Sequence, residues 1–255
     1  MGENNQPLVS VLTPVYNGGE YLVECIESVL KQSYGNWEYI IVNNCSTDNT
    51  LEIARYYETI DSRIRVVNND VFLNQVQNLN NSLRQISGDS SYVKMVMADD
   101  WIFPDCIQKM VGVAESDPEI GLVSSYRLVH NKVKSDGLPY SRNIYDGREI
   151  GRLYIINQRN HFGSETSMLF RADLIWKYDP FFKEDEYHTD TSACLRILTN
   201  GKFGFVHQVL SYTRRSNVEL SATSFSLKYD TYSLSHLEFL IKYGRYFLTE
   251  KEYRA

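Results

Sequence analysis

An alternation in the first hundred residues most constrains what this chain can fold into. Four short runs rich in β-branched and aromatic residues, "LVSVLTPVY" (8–16), "WEYIIVNN" (37–44), "RIRVVNN" (63–69) and "YVKMVMADD" (92–100), are separated by stretches with helical spacing. In the first such stretch Tyr21, Leu22, Cys25, Ile26, Val29 and Leu30 fall on one stripe, which predicts an amphipathic helix packed on a sheet. Strand and helix in strict alternation predict right-handed βαβ units and an α/β fold with a mostly parallel central sheet flanked by helices. Ligands of such sheets bind outside the carboxyl ends of the strands. All four runs end in polar residues, so the polar clusters collect at that edge.

Past residue 120 the pattern loosens. "IGLVSSYRLVHN", "SMLFR" and "FGFVHQVLSYTR" read as strands, "DTSACLRILTNG" as a helix closed by Gly201, and 226–247 as a Tyr- and Leu-rich helix. The polar, turn-rich stretch 131–149 reads as a mobile surface loop and a candidate lid. Nothing resembles a linker, and 255 residues are expected to make a single domain.

Composition removes several functions. A net charge of −6 without a basic cluster argues against a nucleic-acid surface. No apolar run approaches the roughly 20 residues of a membrane span, and "MGENNQPLVS" lacks the marks of a signal peptide, so the expected location is cytoplasmic. Cys25, Cys45, Cys106 and Cys194 are widely spaced and predict buried thiols rather than a disulfide framework or zinc site. The sequence contains no G-x-G-x-x-G, no G-x-x-x-x-G-K-[ST] and no G-x-S-x-G, which argues against dinucleotide oxidoreductases, P-loop phosphotransferases and α/β-hydrolases.

What remains are amides and acids at strand ends. Asp99 and Asp100 close the fourth strand, while Asp105, after Pro104, suits the cap of the next helix. Two adjacent carboxylates repel, and a hard divalent cation, Mg²⁺ or Mn²⁺, relieves the repulsion while binding substrate phosphates. Residue chemistry alone leads to a metal and phosphate site.

The motifs then resemble a known family. "VSVLTPVYNGGEYLVECIESVLKQSYGNWEYIIVNNCSTDNT" is similar to the opening of family 2 glycosyltransferases, with P-T-Y-N, S-[VIL]-L-x-Q and D-D-x-S-x-D-x-T in order, and "MADDW" resembles their D-x-D region. The likeness runs from about residue 8 to 215. It implies a GT-A fold, a Rossmann-like nucleotide-diphospho-sugar transferase domain, with residues 8–120 as the donor half, 121–225 as the acceptor half and 226–255 as a C-terminal helical segment. The implied reaction is metal-dependent and inverting. It moves a sugar from a UDP- or dTDP-linked donor to a glycan, lipid-linked or protein-linked hydroxyl, as in polysaccharide biosynthesis.

Carried over residue by residue, the resemblance puts Pro14, Val15, Tyr16 and Asn17 along the nucleoside. Asn43 stands where the family usually has a base-binding Asp, and an amide offers a donor as well as an acceptor. Ser46 and Asp48 retain the S-x-D part, and also suit the start of the helix near Thr50. Asn80 falls on the family's Asn, with Leu79 at a commonly basic position. Asp99 is implied toward the ribose or sugar phosphate and Asp100 as metal ligand, with Met97 replacing the first acid of the motif. In "FKEDEYHTDTSACLRILTNGKF", Asp190 takes the general base's place, with Thr189 where Glu is usual and the spacing to Arg196 kept. Asp190 would equally suit the cap of its helix. Arg214 and Arg215 loosely match the closing element and would steady the diphosphate, and Ser216 replaces a His.

Two other classes stay open at this level. A sugar-phosphate nucleotidyltransferase would call for a Gly-rich basic loop after the first strand, and "PVYNGGEY" is not basic. A catalytically degenerate sugar-nucleotide binder is favoured by the departures at Asn43, Leu79, Met97 and Thr189, and disfavoured by the retained Asp99, Asp100 and Asp190. The aromatic C-terminal helix is the expected surface for a peripheral membrane or homo-oligomer contact.

Overall fold

The structure, a computed structural model, describes residues 6–214 and 228–254. Among the described residues ten strands form one sheet: β1 (Val9–Val15), β2 (Trp37–Asn43), β3 (Ile64–Asn68), β4 (Tyr92–Met95), β5 (Trp101–Ile102), β6 (Ile120–Val129), β7 (Lys132–Lys134), β8 (Ile144–Asp146), β9 (Leu169–Arg171) and β10 (Lys202–Thr213). The helices are α1 (Leu22–Leu30), α2 (Thr50–Ile60), α3 (Gln75–Leu83), α4 (Cys106–Ala114), α5 (Gly147–Asn157), α6 (Ala172–Lys177), α7 (Thr189–Leu198), α8 (Thr231–Phe247) and α9 (Glu250–Tyr253).

The spatial order is β3-β2-β1-β4-β9-β6-β10-β5, with β7 on β6 and β8 on β10. The first four strands are mutually parallel, as the alternation predicts, and β6 and β10 are parallel as well. Antiparallel β9 joins the two blocks, and the short β5, β7 and β8 pair antiparallel at the far side. The chain lays β2 and β3 on one side of β1 and then returns to place β4 on the other. That reversal is the switch point at which open α/β sheets bind ligands.

Side-chain alternation builds a core on each face. Val9, Val11, Tyr39, Ile41, Tyr92 and Val96 face α1, α2 and α4, while Leu12, Ile40, Val42, Val93 and Met95 face the core to which α3, α5, α7 and α8 contribute. Cys25, Cys106 and Cys194 are buried free thiols, and Cys45 is partly exposed. The stretch 131–149 is built into the sheet: it holds β7 and β8, and α5 opens at Gly147 behind an Asp146 cap on the Arg148 N–H. Asp105 does precede α4, but its carboxylate accepts from the Ser33 hydroxyl rather than capping the helix.

Candidate functional site

A proline decides where β1 and β4 part. In a parallel ladder the N–H following Thr13 would donate to the Val96 carbonyl, but that residue is Pro14, which has no N–H. The Thr13 hydroxyl donates to Val96 O instead, at 2.7 Å. Beyond this point pairing between the strands ends at Leu12 and Met95, and their loops diverge around a crevice.

The loops after β1 and β2 are tied to each other. The Asn17 N–H donates to Ser46 Oγ at 2.9 Å, and Asn17 Oδ1 accepts from the Thr47 N–H at 2.8 Å. Asp48 accepts from the Thr50 hydroxyl and from the N–H groups of Gly19 and Thr50, the latter two at 3.0 Å, and these bonds lower its pKa against burial. The Val15 carbonyl accepts from the Asn44 N–H at 2.8 Å. Asn17, Ser46 and Asp48 therefore hold the shape of this rim. A Cβ on Gly19 would lie 2.0 Å from Asn49 Oδ1, so a side chain there would require Asn49 to move.

On that rim Tyr16, 50% exposed, meets the edge of Phe72, 59% exposed, with ring centroids 5.0 Å apart. Asn44 brackets the backbone of Leu73, donating to its carbonyl at 2.8 Å and accepting from its N–H at 3.0 Å, and so holds the loop that presents Phe72. Asn43, at the end of β2, is buried and donates to Asn68 Oδ1 at 2.6 Å. Its own Oδ1 is buried and has no hydrogen-bond partner among the described residues. Asn80 lies elsewhere: its amide is committed to both backbone groups of Phe182, at 2.6 and 2.9 Å, and joins α3 to the segment before α7.

Across the crevice stand buried charges. Asp100 is 3% exposed; its Oδ2 accepts from Thr166 Oγ1 at 2.6 Å and its Oδ1 from the Arg214 N–H at 2.9 Å. Burial, with Asp99 next to it, pushes Asp100 up to about 7 against those bonds. Asp99 is raised by burial too, and its carbonyl accepts from Arg214 Nε at 3.1 Å. The Arg214 guanidinium pairs with Glu24 and lies over the Tyr21 ring. Arg215 lies outside the described residues.

Thr166 belongs to a one-turn 3₁₀ helix, Glu165–Ser167, pinned from below by Lys94. Lys94 on β4 is fully buried, and its ammonium donates to the carbonyls of Thr166 and Met168. Burial lowers its pKa. Glu165, on the same turn, is pushed up to about 7 by burial, with the carboxylates of Asp190 and Asp100 adding to the effect. Asp190 is raised by burial as well, and the neighbouring His188 and Arg127 draw it back. Asp190 sits in the first turn of α7 behind His188, which occupies the cap position, so Asp190 does not cap the helix. Arg127 of β6 favours the ionised form of Asp100, Glu165 and Asp190 alike. Three carboxyl groups from three distant segments are thus electrostatically joined around one guanidinium. Glu165, Arg127, Thr166 and Lys94 escape sequence reading. The only available signals are an arginine toward the carboxyl end of a strand and a lysine inside an otherwise apolar one.

The donor set fits a divalent cation of a particular kind. Among the described residues no three or more His, Cys, Asp or Glu gather into a self-contained metal cage. Mg²⁺ and Mn²⁺ need only one or two carboxylates when water and substrate phosphates complete the shell. Each Asp100 oxygen accepts one hydrogen bond and keeps a lone pair, and its raised pKa marks a buried anion that a cation would stabilise.

Comparison with known proteins agrees with this geometry. Residues 10–179 match the family model described as Glycosyl transferase family 2. Glycosyltransferase GlyG of Streptococcus pneumoniae is 30% identical over 233 residues, 87% of this chain and 75% of that protein. The putative teichuronic acid biosynthesis glycosyltransferase TuaG of Bacillus subtilis is 41% identical over 108 residues, 42% of each. The chain therefore spans from two fifths to three quarters of these relatives' lengths. Among solved structures, S. aureus TarS 1–349 in complex with UDP-GlcNAc aligns with a TM-score of 0.67 at 20% identity, covering 83% of this chain and 59% of that one. Mannosyltransferase PcManGT from Pyrobaculum calidifontis, in complex with GDP-Man and Mn²⁺, gives 0.68 at 16% identity, covering 94% and 65%.

Proposed function

The chain belongs to glycosyl transferase family 2 and has the GT-A fold, and from that premise we propose that it transfers a sugar from UDP or dTDP to an acceptor hydroxyl with inversion at the anomeric carbon, assisted by a divalent cation. The observation that carries this reading is Asp100: a carboxylate 3% exposed, at the switch point of the sheet, linked through Thr166 to the turn that bears a second acid.

On the donor side, the exposed face of Tyr16, flanked by Phe72, offers the nucleobase a stacking surface. The unpartnered Asn43 Oδ1 wants an N–H. The imide N–H of uracil or thymine supplies one, and so does guanine N1–H, which is why GDP belongs in the test. Asp100, with Asp99 beside it, would hold the cation. A bound Mg²⁺ or Mn²⁺ supplies positive charge to the phosphates of the leaving diphosphate. Arg214, and Arg215 after it, would add guanidinium charge at the same end.

On the acceptor side Asp190 takes the hydroxyl proton as that oxygen attacks the anomeric carbon from the face opposite the diphosphate. A carboxylate whose pKa is raised is a stronger base than a solvated one, and burial raises Asp190. Glu165 shares the field, so the negative charge of one acid favours a proton arriving at the other. The acceptor is a glycan, lipid-linked or protein-linked hydroxyl. Among the described residues no helix is long and apolar enough to cross a membrane, and the exposed Leu234, Leu237 and Ile241 on α8 are the surface for a peripheral bilayer contact.

The test is calorimetric titration of UDP, dTDP and GDP, with and without Mn²⁺, on the wild type and Asp100→Ala. The expected result is Mn²⁺-dependent binding of UDP or dTDP that the substitution abolishes. Absence of binding by all three under both conditions overturns the reading and leaves the chain as a degenerate relative. Tight binding of a nucleoside triphosphate with release of diphosphate would instead favour a nucleotidyltransferase.

A further inference from the structure

A cavity of about 310 Å³ opens beside the acid cluster, between the turn 135–137 and the segment 159–161 that follows α5. Its walls are Ser135, Asp136, Gly137, Arg159, Asn160 and His161. None of these residues has a role in the reading above.

The cavity is built rather than incidental. His161 is 1% exposed, and neither ring nitrogen has a hydrogen-bond partner among the described residues. The Ser135 carbonyl comes near enough to favour the charged ring without completing a hydrogen bond, and burial holds the ring toward its neutral form. A buried, unpaired imidazole costs stability unless something satisfies it. Asn160 spends its carbonyl on the N–H groups of Phe162 and Gly163, at 2.9 and 3.0 Å, which leaves its NH₂ to donate. Gly137 adopts φ +103, and a Cβ there would lie 3.1 Å from Arg159 Nη1, so the guanidinium closes over a backbone that carries no side chain.

The lining chemistry selects the ligand. A neutral imidazole brings one donor and one acceptor, serine brings both, Asp136 only accepts, and Arg159 and Asn160 donate. An anion would meet Asp136 and an acceptor nitrogen, and an apolar ligand would leave His161 unpaired. A ring of hydroxyls, each both donor and acceptor, answers every group. The position agrees: Ser135 Oγ lies 3.5 Å from the site of a Cβ on Gly163, and Gly163 is two residues before Glu165. Two residues of chain span at most about 7 Å.

We propose that this cavity seats one saccharide unit of the acceptor, next to the unit whose hydroxyl is glycosylated. The proposal rests on the glycosyltransferase reading and makes the acceptor a glycan. Arg159 and Asp136 grip its hydroxyls from the rim, and His161 reads one from the floor.

The test uses saturation-transfer NMR on the full chain with UDP and diamagnetic Mg²⁺ present. The probes are methyl β-glucoside, methyl β-galactoside, methyl α-mannoside and methyl N-acetyl-β-glucosaminide, with inorganic phosphate as a control, and the His161 ring resonances are followed in parallel. At least one glycoside should bind and shift those resonances. Arg159→Ala, at an exposed position, and His161→Phe should each weaken it by about tenfold, as expected for one or two lost hydrogen bonds, with UDP binding unchanged. Binding of UDP but of no glycoside overturns the cavity assignment and leaves the donor site standing. So does a glycoside held equally by both variants, or phosphate occupying the cavity in place of sugars. Failure of UDP itself to bind strikes the donor reading first, so the two failures are separable.

Discussion

The two rims of the crevice are built from opposite materials. The donor rim is mostly uncharged and hydrogen-bonded: Asn17, Asn44, Ser46 and the carboxylate of Asp48 each satisfy backbone groups of a neighbouring loop. The facing rim is charged and enclosed: Asp100, Glu165, Asp190 and Lys94 are held where burial moves every one of their pKa values toward the neutral form. Fixed dipoles give shape at low energetic cost, while buried charges are held off balance until a substrate or proton arrives. On the proposed function, the contrast gives recognition of the base to the first rim and the metal and proton chemistry to the second.

The largest effect should come from the charged rim. Asp190→Asn keeps the shape but removes the base, and should lower turnover by about 10²–10⁴-fold, the usual contribution of general base catalysis. UDP binding should stay at the wild-type level by calorimetry. A variant that loses turnover and UDP binding together would place Asp190 on the donor side and erase the division between the rims.

Asp100→Asn sharpens the same comparison, because it should separate function from stability. The native pKa is about 7, above the ordinary carboxylate value of 3.8. The folded state therefore binds more protons than the unfolded one between those values, and stability falls as pH rises through that window. Removing the charge should raise stability at pH 8 by on the order of 2 kcal/mol, given about 1.36 kcal/mol per pKa unit and allowing for relaxation. The same substitution should abolish Mn²⁺-dependent UDP binding. Denaturant melts at pH 5 and pH 8, with and without the substitution, check the sign.

The pH profile of turnover is the next largest effect. Burial pushes Glu165 up to about 7, and Asp190 is raised alongside it. Because the base must be ionised, kcat/KM should fall as pH drops through the raised range of this acid cluster, at higher pH than for an ordinary carboxylate. Glu165→Gln removes one of the charges that raise the site and should move the inflection to lower pH, while a Glu165 outside the cluster would leave it in place.

The division between the rims also governs what the sequence reveals. The donor rim follows from local signals: polar residues ending period-two runs, and short-range turn chemistry such as Asp48 on the Thr50 N–H. The charged rim depends on residues far apart in the chain. Thr166 reaches Asp100 across 66 positions, and Lys94 reaches Thr166 across 72. No periodicity encodes a lysine whose partners are carbonyls. The stretch 131–149 misleads for a related reason. β7 and β8 have three residues each, too short to show alternation, and they exist because β6 and β10 offer them ladder partners. Asn80 shows the same dependence, since its amide serves the Phe182 backbone across 102 positions.

The smallest effect tests the donor rim itself. Asn44 makes two bonds to the Leu73 backbone and accepts a third from Asn69 at 2.9 Å, all inside a residue only 3% exposed. Asn44→Ala should leave the Leu73 N–H and C=O without partners and loosen the loop that sets Phe72 against Tyr16. The expected cost is about 1–3 kcal/mol of stability, with UDP binding weakened severalfold and the pH inflection of turnover unmoved. A shifted inflection would mean that the neutral rim also tunes the acids, and that recognition and chemistry share one electrostatic unit across the crevice.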